Sequence, residues 1–420
     1  AAVVLKWYGT LEEGELRDAT IHGFFSLMRA EEVRDVREAC RNIRSVGQNI
    51  VSADTAGNIG WQTTGAVPVR RGYSGRLPAD GSSGEQHWEG YVPFEQMPHS
   101  YNPGDGMIVT ANCRPSSGGP PISHSWCAPY RYERIQRLVG GLDRATADDF
   151  RRVQMDQCSL QAERVLPTLL GVDGSDRLCK EAQELLRGWD CAMGVDSPQA
   201  LIFNVFLVQF AQLLLGDLIG EPLPLFLSLM GYTYTAVDAL LTSRKAGSST
   251  AGGEELLCGR DLRELCADAL TGAMRTIERT LGKNRRTWSW GRLHVYRYVH
   301  PGTVGKRGAA RLLNRGPYPA PGNGSTVNVS LFNPGRRGRE AERYAVHTVP
   351  SLRMVADLSE QDLTFIMGPM GQSGQPGAPH YADMIDAWLE GALTPLPLSR
   401  QGAEKIAAHV LTLLPPSAGT

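Results

Sequence analysis

The sequence predicts an α+β fold in which strand-forming segments towards both ends of the chain flank a long helical middle. Three observations carry this. Residues 49–64 and 288–357 hold β-branched and aromatic runs of period-2 spacing. Residues 146–281 hold amphipathic runs separated by Gly/Ser/Pro loops. Of the 420 residues, 42% are hydrophobic and 21% charged, an ordinary globular composition that can bury a large core. The expected organisation is a sheet and active-site segment over 1–145, a mainly helical lobe over 146–285, and a return to the sheets with C-terminal helices over 286–420.

In chain order, residues 3–8 (VVLKWY) read as a strand of a sheet that begins upstream of this chain. Leu16, Ala19, Phe24, Leu27 and Met28, then Val33, Val36 and Ala39, recur at helical spacing and predict two helices. Residues 49–54 and 58–64 alternate around the turn Thr55-Ala56-Gly57, which predicts a β-hairpin. The cluster 101–106 (YNPGDG) is a turn whose Asn102 and Asp105 can bond nearby backbone. Residues 107–110 (MIVT) then fit a short buried strand ending at Ala111-Asn112, before Pro115 stops regular pairing. A helix is expected over 131–137, and another after Thr146, which can cap the acid-rich first turn at Asp148 and Asp149. Further helices are expected over 178–189, 201–215 and 261–281, with a loop at 245–253. The apolar stretch 201–230 is interrupted by Asn204, Gln209, Gln212 and Asp217 and broken by Pro222 and Pro224, so it reads as a buried helix pair and not a membrane span. Strands are expected within 288–300, 326–330, 343–347 and 351–357, and helices over 382–391 and 401–414.

Composition excludes some functions. A formal net charge of -1 supplies no global field for nucleic acid or an acidic membrane, so neither is an expected partner. The basic runs 283–286 and 336–339 lack interleaved aromatics and read as solvated loops. The eight cysteines form no CxxC pair and no zinc spacing; Cys113 and Cys127 either bridge the loop between them or remain thiols. His294 and His300 lie six residues apart with no carboxylate or cysteine to complete a metal set. Ser373, in GQSGQ, lacks the last glycine of a nucleophile elbow and reads as loop. The strongest chemical candidate is Asn112. A side-chain amide held at a strand end can donate to a developing oxyanion, and the same residue type commonly bonds its own backbone in a turn.

The signatures QNIVSADTAGNIGW, GRLPADG, HWEGYVPFEQMPHSYNPGDGMIVTANCRP and APYRYERI, with TWSWGRLHVYRYVHP, GNGSTVNVS and GQSGQPGAPHYADMIDAW further on, resemble the penicillin acylase family of N-terminal nucleophile hydrolases over most of the chain. The resemblance implies an αββα sandwich with a large helical region inserted, and an amidohydrolase acting on small-molecule, linear acyl amides. It places the oxyanion asparagine at Asn112 and the active-site arginine at Arg131. It implies that Phe24 or Phe25, with Gln48, touches the acyl group, although the phenylalanine pair equally suits core packing. The family nucleophile is a Ser, or in relatives Thr or Cys, that opens the β-subunit after autoproteolytic processing. Alanine stands at position 1 here, so the nucleophile segment and α-subunit are expected on a companion chain and this chain alone is expected to be inactive. The alternative is a non-catalytic, acylase-like subunit with a binding or assembly role. The resemblance implies no required cofactor, allows a structural calcium near Gly75–Pro78 with most ligands outside this chain, and implies a periplasmic or secreted location. It leaves the acyl group open.

Overall fold

In the computed structural model the described residues are 3–8, 18–115, 119–229, 237–238, 240–242 and 257–414. They form two compact units, one of Ala1–Gly141, Ser159–Arg187 and Asn204–Thr276, the other of Leu142–Cys158, Gly188–Phe203 and Ile277–Thr420. The helical middle of the chain therefore contributes to both. Leu16 and the expected loop at 245–253 lie outside the described residues.

The first unit opens with two helices, α1 (Thr20–Leu27) and α2 (Val33–Cys40). Glu32 and Asp35 close a reciprocal cap at the start of α2, satisfying amides that the helix leaves unpaired. Gly23 lets α1 approach the turn after α2: a Cβ there would stand 2.7 Å from Ile43 Cγ1 and 3.1 Å from the Ala39 carbonyl. The Thr20 hydroxyl accepts from the Arg44 and Ser45 amides at 2.9 and 3.0 Å. The expected hairpin follows as β1 (Asn49–Ala53) and β2 (Ile59–Thr63), antiparallel with Asn49 opposite Thr63. Strands β3 (Pro68–Arg71) and β4 (His87–Tyr91) pair with each other, and β5 (His99–Tyr101) adds to β2.

Two expected strands in this unit are absent. Residues 3–7 join no ladder, and Val3, Val4 and Leu5 are over four-fifths exposed. Apolar, β-branched residues need an edge to pair with if they are to form a strand, and this segment meets β4 through side chains only; Tyr8 alone is buried, edge-on to Tyr91 at 5.7 Å between ring centres. Residues 107–110 are likewise unpaired and half-buried. The turn at 103–106, closed by Gly106 N–H to Pro103 O at 2.9 Å, carries the chain off β5, so burial and not a ladder satisfies these side chains.

The helices follow the sequence closely. They are α3 (Tyr130–Val139), α4 (Ala147–Gln154), α5 (Leu160–Leu170), α6 (Arg177–Leu186), α7 (Pro198–Ile219), α8 (Leu223–Ser228) and α9 (Leu262–Leu281). Thr146 caps α4 as expected, its hydroxyl accepting from the Asp149 amide while Asp149 accepts from Thr146 N. Helix α7 is long and apolar enough to cross a membrane by length and composition, but Leu201, Ile202, Phe203, Val205, Phe206 and Phe210 are wholly buried within the protein. Pro222 starts α8 and completes the expected helix pair.

In the second unit, β6 (Val295–Tyr298) pairs with β7 (Arg315–Pro319), β8 (Leu331–Phe332) with β9 (Val346–Thr348), and β10 (Arg353–Ala356) with β11 (Thr364–Met367), which β12 (Thr394–Pro395) extends. The sequence expectation holds for 295–298 and 353–356 and fails around them. Residues 290–292 form a helical turn because Trp290 enters the core, stacked on His294 at 4.3 Å and donating to the Gly322 carbonyl at 2.9 Å. His294 donates from Nδ1 to the Tyr344 carbonyl at 2.8 Å, and burial pulls its pKa down to about 3. Residues Glu340–Tyr344 are helical, and the strand begins only at Val346. Residues 326–330 are no strand but a buried loop closed by side chains: Asn323 Oδ1 accepts from Ser325 N at 2.8 Å, Thr326 Oγ1 accepts from Asn323 N at 3.0 Å, and Ser330 N reaches Asn323 O at 3.2 Å. Such local bonds offer the backbone an alternative to a ladder. The last helices are shorter than expected, Ile385–Glu390 and Arg400–Ile406.

Gly322 begins this loop at φ +79°, where a Cβ would collide with the Asn328 carbonyl oxygen. Gly322→Ala is therefore expected to lower unfolding stability by about 3 kcal/mol or more. Urea unfolding checks it, and a loss under about 1 kcal/mol contradicts the constraint.

Candidate active site

Asn112 lies just past the unpaired segment 107–110, at φ +62°. Apart from glycine, asparagine and aspartate tolerate this left-handed backbone best. Three hydrogen bonds from later in the chain fix its surroundings. Arg131, in the first turn of α3, donates from Nη2 to the Ala111 carbonyl and to Asn112 Oδ1, both at 2.9 Å. The Cys127 amide donates to the Asn112 carbonyl at 3.1 Å. Cys113 and Cys127 are both free thiols, so backbone and guanidinium bonds, not a disulfide, join the ends of the loop between Asn112 and Arg131. Burial also pushes the Cys113 thiol above its ordinary pKa, which makes it a poor nucleophile.

The donor inventory gives this pair a direction. A guanidinium has no acceptor, so the oxygen of the Asn112 amide must face Arg131. Its Nδ2, with two N–H donors, is turned away from Arg131, and no protein acceptor holds it among the described residues. Arg131 is anchored through its neighbour. Tyr130 is buried, with the Arg164 guanidinium 5.2 Å from its ring and Glu133 paired to Arg164. Beside Tyr130 lies the buried carboxyl of Asp238, which accepts from Gln161 Nε2 at 2.7 Å. Burial pushes Asp238 up to about 7, against the lowering influence of Gln161, Tyr130 and Arg164.

Asn112 lines a cavity of about 630 Å³, which Gln48, Tyr8, Arg44, Trp88 and Trp126 also line. Gln48 is held there through its backbone, which exchanges bonds with Thr64: its amide to Thr64 Oγ1 at 3.0 Å and its carbonyl from Thr64 N at 2.9 Å. The structure thus brings Gln48 and Asn112 to one cavity, with Arg131 bonded to Asn112. It does not bring Phe24 and Phe25 there; they lie on α1, 43% and 58% exposed, and are absent from that lining. Sequence reasoning missed Trp88, Trp126 and Arg44. The alternation of HWEGY marked a strand, but nothing local shows which of its faces meets a cavity. Lys6 Nζ sits 4.8 Å from the Trp88 ring, and Arg44 lies 5.8 Å from the Tyr8 ring and 5.6 Å from that of Tyr91, so one wall combines cations and aromatic faces.

Among the described residues no three His, Cys, Asp or Glu side chains converge as a metal set. Asp80, next to the Gly75–Pro78 segment, turns its carboxylate to the Ser82 amide at 2.9 Å. These residues do not by themselves form a calcium site.

The Penicillin amidase family model matches residues 1–405. The chain is 31% identical to the acyl-homoserine lactone acylase QuiP of Pseudomonas aeruginosa, over 95% of this chain and 50% of that protein. It is also 31% identical to the penicillin acylase 2 proenzyme of Pseudomonas sp. strain SE83, over 91% and 48% respectively. The chain thus spans about half the length of the curated relatives it matches. A thermostable penicillin G acylase from Alcaligenes faecalis superposes with a TM-score of 0.65 at 18% identity, covering 94% of this chain and 72% of that one. That likeness shows the fold, which is of the N-terminal nucleophile hydrolase type.

The Asp238 pKa carries a signed consequence. Its ordinary value is 3.8 and its folded value about 7, so its contribution is complete below about pH 4 and is lost as pH rises to about 7, by about 1.4 kcal/mol per pH unit. His294 acts oppositely, its lowered pKa withdrawing stability as pH falls from about 6.5 towards 3. The readout is therefore the difference between Asp238→Asn and the parent protein. Relative to the parent, the variant should gain stability between pH 4 and 7 and show no further change above 7; parallel curves contradict the assignment.

Proposed function

Because the chain belongs to the penicillin amidase family, we propose that it is part of an amidohydrolase that cleaves the bond between an acyl group and an amine, with Asn112 as the oxyanion donor. The observation that carries this is the Arg131–Asn112 contact, which holds the amide oxygen and turns its N–H groups away. In the proposed reaction a nucleophile attacks the acyl carbon and the carbonyl electron pair moves onto oxygen, where Asn112 Nδ2 donates to it. Collapse of this intermediate expels the amine, which takes up the proton the nucleophile gave to its base, and leaves an acyl-enzyme that water hydrolyses. One donor placed this way is worth about 3 kcal/mol, or about a hundredfold in rate. Arg131 is a positioning residue.

The nucleophile is proposed to come from outside this chain, as the N-terminal Ser, Thr or Cys of a companion segment, its own α-amine serving as base. Two side chains near Asn112 support this. The Ser123 hydroxyl donates within its own turn to Ser125 O at 3.0 Å, and the Cys113 thiol is raised by burial. The substrate is proposed to be a small acyl amide entering the cavity lined by Gln48 and Trp88. The relatives named as acyl-homoserine lactone and penicillin acylases make an N-acyl homoserine lactone and a penicillin the first two substrates to test. The steps as proposed need no cofactor.

Two measurements test the reading. Intact mass and N-terminal sequencing of the native protein should find a second polypeptide that begins with Ser, Thr or Cys; a hydrolase active without one refutes the external nucleophile. In the assembled enzyme Asn112→Gly, which keeps the left-handed backbone unstrained, should lower kcat about a hundredfold with little change in melting temperature. Near-normal turnover removes Asn112 from the mechanism.

A further inference from the structure

The second unit holds another cavity of about 630 Å³, lined by the edge of β6, residues 342–349 in part, and residues 370–381 in part. Its walls are apolar at Val299, Leu313, Val349 and Met370, and aromatic at Tyr298 and Tyr381. Pairing between β6 and β7 is irregular between Tyr296 and Tyr298, and consecutive residues of the strand, Arg297 and Tyr298, both reach the cavity; such irregularities re-aim side chains.

The cavity's charged side chains are two arginines and one glutamate. Arg297 and Arg336 share one carboxylate oxygen, Glu342 Oε2, at 3.4 and 3.6 Å. Both contacts are long, and two guanidiniums against one carboxylate leave a single net positive charge. The Tyr298 ring lines the cavity while its hydroxyl is enclosed in protein, and the Tyr381 hydroxyl is already used, donating to the Leu313 carbonyl at 2.5 Å. The two guanidiniums are therefore the groups left to receive an anion, and planar guanidinium forks favour carboxylates.

We propose that this cavity binds a small monocarboxylate with an aromatic or aliphatic body, its carboxylate received by Arg297 and Arg336 and its body by the apolar wall. The single net charge suits a monoanion better than a phosphate dianion. The site belongs to the second unit and is independent of the reaction proposed for Asn112.

Isothermal titration of the full chain with benzoate, and with benzamide as the neutral isostere, tests it. Benzoate should bind saturably, and benzamide at least tenfold more weakly. The double variant R297Q/R336Q should weaken benzoate at least tenfold. Both arginines are partly exposed, at 39% and 49%, so circular dichroism should show the fold retained. No saturable benzoate binding, equal affinity for benzamide, or benzoate affinity unchanged in the folded double variant each overturns the proposal.

Discussion

One guanidinium nitrogen, Arg131 Nη2, joins the end of an irregular loop to the first turn of a helix by bonding both the Ala111 carbonyl and the Asn112 side-chain oxygen. The rest of the candidate site depends on that contact. The segment before Asn112 has no strand partner, so its position is not set by a ladder. Asn112 also sits in a backbone region that ordinary residues avoid, where a free loop would hold no single conformation. A charged donor bonded to an amide oxygen supplies both position and orientation, and it does so at the cavity that Gln48 and Trp88 share.

What holds Arg131 is a second layer of buried polar groups. Tyr130 turns inward beside Asp238 and Arg164 while Arg131 turns outward to the loop, so consecutive residues tie the helix start to the core and to the site. The second unit uses the same device without evident chemistry. His294 and Arg353 are buried and donate to backbone or side-chain oxygens, buried Asn323 Oδ1 accepts from the Ser325 amide, and Arg353 also lies 4.1 Å from the Trp388 ring. Buried polar groups of this kind stabilise only when satisfied, which ties several loops of that unit to one arrangement.

The elements legible in the sequence were those whose stability is local. The hairpin of β1 and β2 follows from alternation around a turn, the Thr146 cap from its acids, and α7 and α9 from long apolar or amphipathic runs. The errors share a cause. Residues 107–110, 326–330 and 343–345 have strand-like composition, but strand formation needs a neighbour that composition does not reveal, and around 326–330 the Asn323 and Thr326 side chains bond the backbone instead. At the site, Asn112 was chemically suggestive alone, whereas its partner nineteen residues on was visible only through the family resemblance. Trp88, Trp126 and Arg44 were missed because a cavity wall is assembled from separate segments, and Phe24 and Phe25 carry no local sign of their exposure on α1.

Catalysis by this site depends most on where the Asn112 amide points when a substrate carbonyl is present. A crystal structure of the assembled enzyme with a slowly hydrolysed acyl amide bound would measure this directly. Arg131 should remain bonded to Asn112 Oδ1, with Nδ2 at about 2.7–3.1 Å from the substrate carbonyl oxygen. A carbonyl oxygen held by other donors, or an Asn112 side chain released from Arg131 and turned out of the cavity, would contradict it.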